Sequence, residues 1–346
     1  MDRLSPSSLV PFLPLVLAAC GGGGDGGAAP GATTSSDVAL RFSDAPVEAL
    51  ERVVVTVESI AFHREDGEDI VVERFTSDEL GLDDAERFTL DLLAVQGDDS
   101  RLVLDSVVLP VGRYSDLRLD VVDEDLNASF VEESAGSALK TLKVPSGELK
   151  LGGFEVSPLA TQTFVVEFGL RQSMTYNPGP DRYLLKPRGV RVVRLEEAAG
   201  IEGRVDLSAL HERAPCDEKA DPAVGNVVYL YAGHGLDAAA LADDFDAGLA
   251  GSAGDGRLAP LASATLGEDG RFVLSWLEPG DYTLAASCRA EGDDADALDG
   301  LAVPLPTDQR VELALERGVR GSCALGGPAP ACTTTATAAE TTPAMR

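Results

Sequence analysis

From residue 38 onward the chain alternates. Val38, Leu40 and Phe42 are apolar, with Ala39, Arg41 and Ser43 between them. Successive side chains of a strand point to opposite faces, so this pattern predicts a strand with one face buried. Phe88, Leu90 and Leu92 repeat it, as do Leu117, Leu119 and Val121, and then Phe164, Val166, Phe168 and Leu170. Segment 52–62 is rich in Val and Ile, whose branched side chains suit a pleated surface, and further strands are expected at 69–75 and 184–193. Glu65-Asp66-Gly67 supplies a turn. Short strands punctuated by turns predict an antiparallel sandwich. The acidic stretch 77–85 is the place in this region where a short helix is expected.

The pattern breaks at Glu196-Glu197-Ala198-Ala199-Gly200 and then resumes. Strands are expected at 201–207, 226–232, 262–266, 271–276, 281–287 and 310–315, with an Ala- and Asp-rich helical insertion at 236–249. After Gly318 the chain turns to Ala, Thr, Pro and Gly, which predicts a disordered tail. The two regions share a turn. Leu109-Pro110-Val111-Gly112-Arg113-Tyr114 leads into one alternating strand and Leu277-Glu278-Pro279-Gly280-Asp281-Tyr282 into another. Pro presets φ, Gly admits a positive φ, and the Tyr ring covers a sandwich corner as the next strand begins. The architecture expected is two β-sandwiches in series.

Ahead of them lies an apolar run, Leu9 to Leu17, closed by Ala18-Ala19-Cys20 and preceded by Arg3. It is shorter than the roughly 20 residues a spanning helix needs and carries two prolines, so it reads as a signal peptide. Leu17-Ala18-Ala19-Cys20 resembles the lipobox of bacterial lipoproteins. That resemblance implies cleavage before Cys20, lipid on its sulfur and attachment to a bilayer through acyl chains. Gly21 is not the Asp of an inner-membrane retention signal, which favours an outer-membrane destination. Residues 21–36 are almost all small or polar and read as a flexible tether.

The chain carries 58 acidic against 28 basic residues, a net charge of −30. Nucleic-acid binding is excluded, because phosphate contact needs a basic surface. An acidic surface serves solubility, a salty habitat or the collection of divalent cations. Beyond Cys20 there are four cysteines, an even number in an exported chain, which predicts disulfides. Of the three possible pairings, Cys216–Cys288 and Cys323–Cys332 are preferred. The first pins a long loop to a strand end and the second closes a short loop.

No catalytic residue is assigned. His63, His211 and His234 are far apart and have no partner at ligand spacing, and the nucleophile elbow and zinc motifs are missing. Calcium is the one cofactor considered, at Asp293, Asp294, Asp296 and Asp299, where carboxylates are dense but the spacing fails that of a calcium loop. A plain solvated loop is the competing reading. Trp276, Tyr229 and Tyr231 are the candidate ligand-binding aromatics, able to stack on sugar rings if exposed and to fill the core if not.

Two family resemblances follow from motifs. Phe42-Ser43-Asp44-Ala45-Pro46, Asp91-Leu92-Leu93, the Leu109–Tyr114 turn, Val144-Pro145-Ser146-Gly147 and Leu185-Lys186-Pro187 resemble the bacterial lipoprotein domain of unknown function 4382, over residues 38–195. Locally, Ser43-Asp44-Ala45-Pro46 reads as a turn closed by the Asp side chain. Gly200 to Val205, Gly267-Glu268-Asp269-Gly270-Arg271-Phe272 and Leu277 to Leu284 look like a carboxypeptidase-regulatory-like domain over residues 200–318. That resemblance implies a prealbumin-like, seven-stranded sandwich of non-catalytic character, related to carbohydrate-binding-like folds.

The fold class expected is therefore all-β: two immunoglobulin/prealbumin-like sandwiches with a disordered N-terminal tether and C-terminal tail. The segments are a signal peptide at 1–19, lipidated Cys20 and linker at 20–37, sandwiches at 38–195 and 200–318, and a low-complexity tail at 319–346. The function expected is a non-enzymatic envelope lipoprotein, a binding or structural module whose partners are the bilayer and an envelope protein or polysaccharide. A carbohydrate-binding accessory protein and a hydrolase without a recognisable motif are the alternatives.

Overall fold

The computed structural model describes residues 34–45, 50–246 and 256–336. The signal peptide, Cys20, most of the linker, Pro46 and residues 337–346 lie outside the described residues. Among the described residues no helix is long and apolar enough to cross a membrane.

The first sandwich places a four-stranded sheet against a larger one. In the smaller sheet the order is Val190–Arg194, Thr161–Phe168, Ser35–Asp44, Arg101–Pro110. The Arg52–Arg64 and Gly112–Val121 strands pair antiparallel at the heart of the larger sheet. Val38, Leu40 and Phe42 all point inward, as their alternation requires. Phe42 meets Phe88 edge-on at 5.6 Å and Phe168 at 5.3 Å, and Phe88 meets Phe75 at 4.9 Å. Each such pair adds about 0.5–1.5 kcal/mol beyond the area it buries.

The second sandwich stacks two four-stranded sheets. One runs Arg271–Leu277, Ala199–Val205, Val319–Leu325, Ala331–Ala336, and the other Ala262–Thr265, Val227–Ala232, Gly280–Ser287, Arg310–Leu315. The expected tail thus begins as structure. Val319–Leu325 pairs parallel with Ala199–Val205 and lies inside its sheet, and the Cys323–Cys332 disulfide ties it to the edge strand. Its inward positions are Gly321, Cys323 and Leu325, and residues as small as Gly and Cys leave almost no hydrophobic period to read. Eight strands replace the seven that the resemblance implies.

Two expected helices are also absent among the described residues. Phe75–Ser77 and Leu82–Ala85 pair as a small antiparallel ladder where 77–85 was expected to coil. The insertion carries a single 3-10 turn, Ala238–Ala240, before residue 247. In both places Asp and Gly interrupt the run, and short Asp side chains favour turns over helix interiors.

The repeated turn behaves alike in both sandwiches. The Tyr114 hydroxyl donates to the Pro110 carbonyl at 2.9 Å, and the Tyr282 hydroxyl to the Glu278 carbonyl at 2.7 Å. Both rings are buried. Gly112 uses the positive φ its turn requires, whereas Gly280 does not. The second expected disulfide also forms, Cys216–Cys288, joining the segment after the Leu207–His211 helix to the end of the Gly280–Ser287 strand.

Candidate functional site

The described residues all belong to one compact unit, so the two sandwiches meet across a seam. Its centre is built from the short Leu170–Ser173 helix of the first sandwich, which ends the Thr161–Phe168 segment and presents Arg171 and Gln172 to the second. Arg171 Nη2 lies 2.5 Å from Asp293 Oδ2, and Arg171 Nε donates to Ser263 Oγ at 3.1 Å and lies 3.3 Å from Asp244 Oδ2. Gln172 Nε2 donates to Asp244 Oδ1 at 2.7 Å. Ser263 Oγ donates to Asp244 Oδ2 at 2.5 Å, so every oxygen of that buried carboxylate is engaged. Lys186 pairs with Asp296 at 2.5 Å on the same side.

Trp276 anchors the other end. Its Nε1 donates to Ser43 Oγ at 2.8 Å and to the Gly97 carbonyl at 3.0 Å. Trp276 has φ +51°, a left-handed conformation that a bulky residue rarely adopts. The ladder between Ala199–Val205 and Arg271–Leu277 slips in register beside it, between Ala199 and Ile201. A bulge re-aims a side chain, and here it turns the indole out of its own sandwich and onto the neighbour. Asp98 is bonded by Ser275 Oγ at 2.5 Å and Arg320 Nη2 at 2.6 Å.

Of the two readings open for the aromatics, Tyr229 and Tyr231 take the core one. Tyr229 and Tyr231 are 0% and 1% exposed, and their hydroxyls donate to Asp293 Oδ2 and the Ala242 carbonyl. Rings closed into the core present no face for stacking. The Trp276 indole N–H serves the seam. Asp44 reaches beyond its own segment: its Oδ1 accepts from the Leu170 backbone N–H at 3.4 Å and its Oδ2 from Gln96 at 3.3 Å, while Pro46 of the expected turn lies outside the described residues. The histidines stay apart, His63 on Asp69, His211 on Asn226 and His234 on the Leu313 carbonyl.

Of the expected calcium residues, Asp294 and Asp296 are engaged elsewhere. Asp294 Oδ1 accepts from the Asp296 backbone N–H at 2.9 Å, and Asp296 holds Lys186. Asp293 and Asp299 instead converge with Asp243, which comes from the insertion. Asp243 was not singled out in the sequence, because it lies 50 residues before Asp293 in a run expected to be helical.

Electrostatics across the seam are dominated by burial. Glu167 is 1% exposed, and its pKa is pushed from 4.5 up to about 8 by burial, which outweighs Arg191. Arg191 Nη2 stands 3.8 Å away, too far to donate, and neither Glu167 oxygen has a hydrogen-bond donor. Burial first, then the charge of Glu167, also holds Asp44 well above the usual carboxylate range. A carboxyl whose pKa is raised in the folded protein contributes stability in full below its ordinary pKa and loses it as pH rises through the folded value. For Glu167 that window runs from about pH 4.5 to about pH 8. Glu167→Gln is expected to remove this slope and to exceed the natural protein in stability at pH 9 by on the order of 3–5 kcal/mol. Urea unfolding from pH 5 to 9 checks it, and an unchanged slope in the variant contradicts the assignment.

These seam residues lie within a recognisable domain. Residues 35–187 match the model of a domain of unknown function, DUF4382. The match takes in Ser43, Asp44, Glu167, Arg171 and Gln172, while Arg191, whose Nη2 donates to the Ser275 carbonyl across the seam at 3.3 Å, lies beyond it. No curated protein matches the chain. Among solved structures, 84% of the chain aligns with the TIE protein of Bacillus anthracis at 11% identity and a TM-score of 0.19, spanning 33% of that protein. A streptococcal ancillary pilin aligns over 84% of the chain and 68% of its own length at 12% identity and TM-score 0.18. The minor pilin GBS52 of Streptococcus agalactiae aligns over 83% and 93% at 11% identity and TM-score 0.18. Such scores are too low for any property of those proteins to be carried to this one.

Proposed function

We propose that the protein is a non-enzymatic lipoprotein of the cell envelope, anchored by lipid on Cys20 and most simply placed at the outer membrane, where it acts as a binding or structural module. The observation that carries this reading is the seam. Arg171, Gln172, Asp244, Asp293 and Trp276 are bonded from one sandwich to the other, so the buried polar chemistry fixes two sandwiches as one body. Loops at the ends of rigid strands then present a surface of constant shape, a usual basis for recognition. The second sandwich is read as a carboxypeptidase-regulatory-like module, an added spacer that meets the DUF4382 region.

An envelope protein is the partner class favoured over polysaccharide, because Tyr229 and Tyr231 are closed to solvent. The hydrolase alternative draws only on abundant carboxylates, and that of Asp244 in the seam is engaged by Arg171, Gln172 and Ser263.

The anchor is tested by growing a bacterial host expressing the chain with an alkyne analogue of palmitate. The natural protein is expected to take up label and to sediment with membranes. Cys20→Ser is expected to remain unlabelled and to appear in the soluble fraction. Equal labelling of both would remove the anchor from this reading.

A further inference from the structure

Asp243, Asp293 and Asp299 each present a carboxylate oxygen within 4.8 Å of the other two. Asp243 and the Asp293 side chain are 0% exposed, while Asp299 opens to solvent. Each carboxylate is already fixed through Oδ2. Asp243 Oδ2 accepts from the Leu301 backbone N–H at 2.6 Å, and Asp299 Oδ2 from that of Asp294 at 2.6 Å. Asp293 Oδ2 takes Arg171 at 2.5 Å and the Tyr229 hydroxyl at 2.6 Å. The Oδ1 atoms of Asp243 and Asp293 are buried and accept no hydrogen bond. A buried carboxylate oxygen without a donor is costly, and two in one cluster repel each other.

We infer that Asp243, Asp293 and Asp299 bind a hard divalent cation of the calcium class. The donor set is all carboxylate oxygen, without sulfur or imidazole, which suits calcium or magnesium over transition metals. Three carboxylates drawn from separate segments suit the flexible coordination of calcium at about 2.3–2.6 Å better than the near-octahedral geometry that magnesium demands at about 2.0–2.1 Å. Charge points the same way. Among the described residues, Arg171 and Arg257 are the cations set against Asp243, Asp244, Asp293 and Asp299. Water reaching in beside Asp299 completes the coordination.

Bound there, the ion holds the insertion that carries Asp243 against the 293–301 loop. Through Asp293 it also steadies the carboxylate that Arg171 grips from the first sandwich. This goes beyond the structural role proposed above and does not depend on the lipid anchor. It makes the seam responsive to external calcium, in the range of about 10⁻⁴–10⁻³ M common to extracellular modules.

Terbium titration of the purified full-length chain tests it, because the Tyr229 hydroxyl, 2.6 Å from Asp293 Oδ2, is placed to sensitise a bound lanthanide. Excitation of tyrosine is expected to give terbium emission that calcium displaces and equal magnesium does not. Asp299→Asn, at an exposed position, is expected to weaken terbium by at least about tenfold, Asp243→Asn more, and Asp66→Asn at a distant turn not at all. Thermal unfolding gives a second readout, with calcium raising the midpoint of the natural chain but not that of Asp299→Asn. Absence of sensitised emission, displacement by magnesium as readily as by calcium, or unchanged affinity in both Asp299→Asn and Asp243→Asn would each overturn the inference.

Discussion

Replacing Arg171 by methionine is expected to cost about 3–5 kcal/mol of stability at pH 8 and distinctly less at pH 4. Methionine keeps much of the aliphatic length and removes the charge. What it leaves behind decides the outcome. Asp293, with its side chain 0% exposed, loses the one ion-pair partner it has among the described residues, and Asp244 loses the guanidinium 3.3 Å from its Oδ2. Removing one member of a buried pair is far more damaging than replacing both, because the remaining charge stays desolvated. The pH dependence follows from Asp293. Burial first, and the charge of Asp244 second, push its pKa from 3.8 up to about 6 even with Arg171 beside it. Its contribution is therefore complete below about pH 4 and is lost as pH rises through about 6. Without Arg171 the folded pKa climbs further, so the loss continues to higher pH and the variant falls away from the natural protein above neutrality. Protonation in acid neutralises the stranded carboxyl and narrows the difference. Chemical unfolding at pH 4 and pH 8 measures both numbers. An equal loss at the two pH values would show that Arg171 acts through packing alone. A companion Arg171→Met, Asp293→Asn chain is expected to recover part of the loss, since the two residues share one interaction and their effects do not add.

The Cys216→Ala, Cys288→Ala double variant is expected to lose about 4 kcal/mol, and the Cys323→Ala, Cys332→Ala variant distinctly less, nearer ~2.5 kcal/mol. The first bridge joins residues 72 apart and the second residues 9 apart. A cross-link stabilises mainly by restricting the unfolded chain, and the restriction grows with the logarithm of the loop it closes. The longer loop encloses the Val227–Ala232, Ala262–Thr265 and Arg271–Leu277 strands and the insertion bearing Asp243 and Asp244. The loss is thus concentrated in the part of the second sandwich that meets the seam. Both sulfurs of this bridge are buried, Cys216 at 1% and Cys288 at 0% exposure, so alanine also leaves a small cavity in the core. Urea unfolding of the two variants ranks them. A larger loss from the nine-residue bridge would mean that native contacts around Cys332, and not chain entropy, set its value.

The sequence by itself determined what depends on neighbours along the chain. Alternation at Val38, Leu40 and Phe42 marked an inward face, because period 2 is a property of the strand alone. The Pro-x-Gly-x-Tyr turns were legible for the same reason, since the bond from each Tyr hydroxyl spans only four residues. The disulfide pairs were recoverable from cysteine count and spacing in a chain read as exported. Tertiary structure decided what depends on distant segments. Val319–Leu325 reads as tail because Gly321 and Cys323 are too small to show a period, yet it becomes an interior strand once Ala199–Val205 lies beside it. Trp276 reads as core before platform, and only the bulge that turns it toward Ser43 and Gly97 makes it a link between sandwiches. In a chain with 58 acidic residues no local motif distinguishes one carboxylate from another. Asp243, Asp293 and Asp299 stand out only because folding brings the insertion to the 293–301 loop and strips water from two of them, and desolvation is a property of the folded surroundings that no local stretch of sequence carries.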